Sequence, residues 1–225
     1  MTEQIKKKVV LVSLEDVLVP GRVVRQVNKK AIKEILTNLS RLEKEGKITL
    51  MLVSGFKKDV MDKKIAENSI SKFFKPENIH CATKHYISKR EEVDRKRHEK
   101  NIKQNPSFND AYVKVQVVDY LLMSGIPKED MVYFGHDLMT DAFYLHRYAG
   151  IDVALLKPSF SLNHTRAKLI KGLIYVNPTW ADFRKVLVGK RKAESYAVLE
   201  TTIFSMLKEQ LFGDTLLKKY AIKRG

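Results

Sequence analysis

Cysteine is almost absent from this sequence. The one residue, Cys81, excludes an internal disulfide framework and fits a reducing compartment, so stability has to come from a hydrophobic core. Long hydrophobic runs are missing as well. No stretch approaches about 20 uninterrupted apolar residues, so membrane insertion is not expected. Met1 to Lys8 carry charge but no signal-type apolar core follows them, and Val9 to Val12 is too short to be one. The expectation is a soluble, cytoplasmic chain. Acidic residues are the other deficit: 26 Asp and Glu face 42 Lys and Arg, a formal net charge of +16. Such a balance attracts phosphate-rich or acidic partners. The basic residues are spread over the whole length, however, and a lysine excess also arises from composition alone.

What remains is ample for folding. The 225 residues are 44% hydrophobic, enough for one domain of ordinary size with a short addition. Val9 to Val12 is a β-branched run that ends in polar Ser13, Glu15 and Asp16, the pattern of a buried parallel strand with a functional loop behind it. Asn28 to Glu45 repeats its apolar residues at helical spacing, and Gly46 stops it. Ile48 to Val53 reads as a second strand ending at Ser54-Gly55, Lys57 to Phe74 as a helix, and Asn78 to Ala82 as a third strand. Ser88 to Gln104 is charged with little periodicity, a solvated helix or an excursion. Asp110 to Met123 is amphipathic. Met131 to Phe134, Ile151 to Leu155 and Leu173 to Val176 complete six strands, with a helix from Asp141 to Ala149 between the first two of these. Alternating strands and helices with short loops predict an α/β fold, a three-layer Rossmann-like parallel sheet with helices on both faces. Ligands of such sheets sit beyond the carboxyl ends of the strands, so the loops after Val12, Val53 and Phe134 face one crevice.

Three segments together resemble the haloacid dehalogenase superfamily. Residues 10 to 19, Val-Leu-Val-Ser-Leu-Glu-Asp-Val-Leu-Val, are similar to its first motif, a strand followed by Asp-x-Asp. The strand ending in Ser54-Gly55 is similar to the second. Residues 133 to 141, Tyr-Phe-Gly-His-Asp-Leu-Met-Thr-Asp, are similar to the fourth, and Lys114 falls where the family keeps a lysine. The resemblance covers about residues 8 to 188 and implies a haloacid dehalogenase-like α/β domain over residues 1–189 without a large cap domain. Residues 190–225 are expected to add an amphipathic C-terminal helix, marked by Tyr196, Leu199, Ile203, Met206, Leu207 and Leu211, and a basic tail.

The departures from the family pattern are chemical. The family's nucleophilic, magnesium-binding aspartate is here Ser13, its general acid–base aspartate is Glu15, and the first aspartate of its fourth motif is His136. Asp141 matches the second acidic position, with Asp137 adjacent. Magnesium prefers hard oxygen ligands, usually including carboxylates, whereas an imidazole suits softer metals. A phosphoryl-aspartate cannot form on Ser13, and a serine nucleophile needs an activating base. Ser54 and Gly55 together with Lys114 are candidates to hold an anion. The bland alternatives are a helix-capping serine and a solvated lysine. His136, Asp137 and Asp141 are weak candidates for a metal; His136 otherwise reads as a hydrogen-bonded loop residue.

The sequence therefore supports a degenerate member of that superfamily. Ser13 and Glu15 would mark its inactive catalytic positions, it would need no cofactor, and it would act as a binding or structural subunit of a protein complex. The competing expectation is a divergent phosphoesterase that would need magnesium or another metal. A third is a non-catalytic RNA-binding protein, although no recognised nucleic-acid motif accompanies the charge.

Overall fold

The computed structural model describes residues 4–21, 27–83, 92–105, 110, 113–137, 141–142, 145–146, 149–156 and 174–191, the side chains of residues 94 and 175 apart. Expectations for the C-terminal helix and tail, and for residues 88 to 91 of the charged segment, lie outside the described residues.

Strand β1 (Val9–Ser13) is buried at every position. It pairs in parallel with β2 (Thr49–Val53) on one side and β4 (Met131–Gly135) on the other. Strands β3 (Ile79–His80), β5 (Asp152–Leu156) and β6 (Ile174–Val176) extend the sheet outward to the order β3-β2-β1-β4-β5-β6, parallel throughout. Alternating side chains of one strand enter different cores. Val10 and Val12 pack on one face with Ile35, Leu36 and Leu39, while Val9 and Leu11 pack on the other with Val117, Val118 and Leu145. Both faces are covered, which is why the strands read as continuous apolar runs rather than alternating ones.

The first face carries α1 (Lys29–Lys44) and α5 (Trp180–Leu187), the second α4 (Val113–Met123). Asn28 caps α1 by accepting from Ala31 N–H at 3.1 Å. Thr179 caps α5 through Asp182 N–H at 3.3 Å, and Asp182 reaches back to the Asn177 backbone N–H at 3.0 Å. Phe183 of α5 stacks on Phe134 of β4 with ring centroids 4.0 Å apart. Helix α2 (Lys58–Glu67) stops seven residues before the expected end at Phe74. Asn68 turns its amide onto the Lys64 carbonyl at 2.8 Å, and Ser69 adopts a left-handed φ of 53°, so the chain leaves the helix while Ile70 and Phe74 still reach the core. The charged segment forms α3 (Glu92–Gln104), and His98 is its buried side chain among the described residues.

Candidate functional site

The chain lays down β1, β2 and β3 in one direction from the centre of the sheet and β4, β5 and β6 in the other. The strand order reverses between β1 and β4, and the crevice of such a sheet opens at the carboxyl ends of those two strands. Ser13 closes β1 there, and His136 follows β4.

After Ser13 the backbone folds tightly on itself. Leu18 and Val19 N–H both reach the Leu14 carbonyl, at 3.0 and 3.1 Å, and Asp16 N–H reaches Val19 at 2.9 Å. The turn needs a left-handed residue, supplied by Asp16 at φ 59°. It buries Leu14, Val17, Leu18 and Val19 and leaves Glu15 to extend toward β2. There the Ser54 hydroxyl donates to Glu15 Oε1 at 2.5 Å and accepts the Phe56 N–H at 3.1 Å. Both functions of Ser54 are thus used inside the protein, and its residue is wholly buried. It does not cap α2, whose N-cap position is Lys57. Gly55 contributes its carbonyl to Asp110 N–H at 2.7 Å. Burial drives the Glu15 pKa upward, against the opposing pull of the Ser54 hydroxyl and the Lys114 ammonium. Ser13 is 1% exposed, with its hydroxyl 3.5 Å from the Glu15 carbonyl.

Lys114, near the start of α4, reaches across to Asp141, where its ammonium binds Oδ1. The other oxygen, Oδ2, accepts the backbone N–H groups of His136 and Asp137 at 2.8 and 3.0 Å. Gly135 permits this closure, because a Cβ there would collide with the Asp141 carboxylate. Burial works against the charge on Lys114, but the fields of Asp141, Tyr133 and Glu15 outweigh it and hold the ammonium firmly protonated. The Lys114 ammonium lies 5.8 Å from the Tyr133 ring centre, and burial pushes the Tyr133 phenol up, out of the titrating range. The His136 ring turns toward Asp16, with Nδ1 and Oδ2 3.8 Å apart. Asp16 and Tyr133 were not among the residues singled out from the sequence. Asp16 was signalled by a third polar residue after the strand, and Tyr133 by a phenol inside an otherwise apolar run.

The sequence candidates thus gather around two internal pairs, Glu15 with Ser54 and Lys114 with Asp141. Magnesium does not fit this donor set. Asp141 already has an ammonium on one oxygen and two amides on the other, Ser13 offers a neutral hydroxyl, and His136 offers nitrogen. Among the described residues no three His, Cys, Asp or Glu side chains are grouped so as to hold a metal ion. The Lys114 ammonium, which would face a phosphate there, is matched by the Asp141 carboxylate.

No protein-family model and no curated protein matches the sequence. Solved structures do match in fold. A haloacid dehalogenase-like hydrolase protein of Bacillus subtilis superposes with a TM-score of 0.51 at 17% identity, covering 86% of this chain and 93% of its own. A mutant of the thermostable p-nitrophenylphosphatase of Bacillus stearothermophilus aligns over 80% of this chain and 98% of its own at 10% identity, with a TM-score of 0.46. At these identities the first of them establishes the fold alone.

Proposed function

We propose that this chain, which has the haloacid dehalogenase-like fold, has lost phosphoryl transfer and serves in the cytoplasm as a binding or structural subunit of a larger assembly. The observation that carries this reading is the occupancy of the site by its own side chains. Lys114, the cation that would meet a phosphate, is bound to Asp141, and Asp141 is in turn held by two backbone amides. Phosphoryl transfer depends on positioned cations and on a poised nucleophile. Here the cation is neutralised, and Glu15, the carboxylate two residues on from Ser13, is itself hydrogen-bonded to Ser54 and has its pKa raised by burial. A net charge of +16, together with Tyr120 and Met123 three residues apart and exposed on α4, supports a surface made for partners.

One observation favours a second reading, a divergent phosphoesterase: burial raises the Glu15 pKa, and a carboxyl shifted in that direction is suited to general acid catalysis. The two readings are separated by a turnover assay with magnesium across small and macromolecular phosphoesters. The binding-subunit reading expects no hydrolysis beyond that of Ser13→Ala protein. Turnover that vanishes in Ser13→Ala or Glu15→Ala would overturn it. RNA as the partner would show as filter binding with a steep salt slope.

A further inference from the structure

A second site lies away from this crevice, between α1 and the turn after α2. We infer that it is a docking groove for an acidic linear segment of a partner protein, one carrying a single large apolar side chain among its carboxylates. The floor is apolar: Leu18, Ile32, Leu36 and Ile70 are buried beneath it, and Phe73 forms one wall. Among the described residues the rim carries Lys29, Lys33 and Lys72 and no carboxylate. Two larger cavities among the described residues are mixed in sign. One, under the amino ends of the strands, sets Glu129 and Asp152 among its lysines, and the other, beside β3, sets Asp62 against Lys58. A basic composition by itself therefore does not produce a rim of one sign.

The rim is also poorly arranged for folding. Lysines 29, 30 and 33 occupy the start of α1, whose first turn holds no acidic residue, and a helix N-terminus is the positive end of its dipole. Lys29, Lys33 and Lys72 make no ion pair among the described residues, so no internal carboxylate offsets that arrangement. An arriving carboxylate would meet three cations and the dipole together.

The shape of the cavity selects the occupant. Its volume is about 170 Å³, below the roughly 300–1,000 Å³ of whole small-molecule sites, so it suits one anchoring side chain. A nucleobase fits less well. The Lys72 ammonium already lies 5.3 Å from the centre of the Phe73 ring, so the ring face it covers is not open for a base to stack on, and the Asn68 amide is held by a hydrogen bond to the Lys64 carbonyl.

This inference goes beyond the proposed function and stands whether or not the crevice is catalytic. It is tested by fluorescence anisotropy of the full chain with a labelled peptide, Asp-Glu-Asp-Phe-Glu-Asp-Glu, and with the same peptide carrying Ser in place of Phe. The expected result is saturable binding of the first peptide, weakened at least about tenfold by the Phe-to-Ser change and by Lys29→Glu/Lys33→Glu/Lys72→Glu. The triple variant should melt no lower than the wild type, because acids at the start of α1 agree with its dipole. A control, Lys6→Glu/Lys8→Glu/Lys128→Glu, should leave binding unchanged. Equal binding of the two peptides, equal loss in both triple variants, or displacement of the peptide by an equally charged single-stranded oligonucleotide at lower concentration than by unlabelled peptide would each overturn the assignment.

Discussion

The ammonium of Lys114 and the carboxylate of Asp141 are bound to each other at the carboxyl ends of β1 and β4, with the lysine side chain 10% exposed and the aspartate 1%. The pair joins α4 to the loop after β4, and through the His136 and Asp137 amides it fixes the course of that loop. A group used in this way is part of the architecture, and its removal should register first in stability.

Lys114→Met leaves Asp141 charged and buried without its cation. Losing one partner of a buried pair costs about 3–5 kcal/mol. Urea denaturation should show a loss of that size, and the double variant Lys114→Met/Asp141→Asn should be less damaged than the single one, because no unpaired charge remains.

Glu15 gives a pH signature. Its carboxyl has an ordinary value of 4.5 and is raised in the folded state by burial, against the Ser54 hydrogen bond and Lys114. As pH climbs past 4.5 the unfolded chain releases its proton before the folded one does. The contribution of this group is therefore present in full below 4.5, falls through the window up to the folded value, and is flat beyond it. Glu15→Gln keeps an oxygen for Ser54 and removes the slope. The stability at pH 7 minus that at pH 4, from denaturation at each pH, should therefore be larger in the variant than in the wild type.

Gly135 and Asp141 are coupled sterically. Gly135→Ala places a methyl group against the Asp141 carboxylate, and overpacking of this kind costs about 1–3 kcal/mol. In an Asp141→Gly background the carboxylate and the Cβ, which would lie 2.7 Å away, are both gone, so the same substitution should cost clearly less, which a double-mutant cycle measures directly.

The fold was legible in the sequence because β1, β2 and β4 are buried on both faces and announce themselves as apolar runs; their ends fell within a residue of expectation. The order of strands and helices then dictated a parallel sheet, and the reversal between β1 and β4 placed the crevice. The end of α2 was not legible, since Ile65, Ile70 and Phe74 keep reaching the core after the helix has stopped at Glu67. Helix α5 is not among the elements expected from the sequence, although Thr179 followed three residues on by Asp182 is a helix start signal. Side-chain pairing is a different matter. Ser54 and Glu15 stand 39 residues apart and Lys114 and Asp141 27 apart, so nothing local in the sequence said that these candidates would satisfy one another.

The same holds for His98 and Asp110. His98 Nδ1 lies 2.7 Å from the Asp110 carboxylate and Nε2 lies 2.9 Å from the Ala82 carbonyl, while Asp110 N–H binds Gly55. A carbonyl only accepts, so Nε2 carries a hydrogen. This cluster, together with the Lys57 ammonium on the Ile102 carbonyl at 3.3 Å, fastens the charged helix α3 to the loops after β2 and β3. Asp110→Ala should accelerate amide exchange in α3 far more than in β1 or β4, as hydrogen exchange resolved by segment would record.

The central claim is that the crevice is closed from within. The most direct measurement is a crystal structure of the wild-type protein soaked in magnesium and a phosphate mimic. The account predicts that Lys114 stays on Asp141, that Ser54 stays on Glu15, and that no cation or anion is seated at the end of β1. A metal bound between Ser13 and Asp141, with the mimic beside it and Lys114 turned onto the mimic, would contradict it.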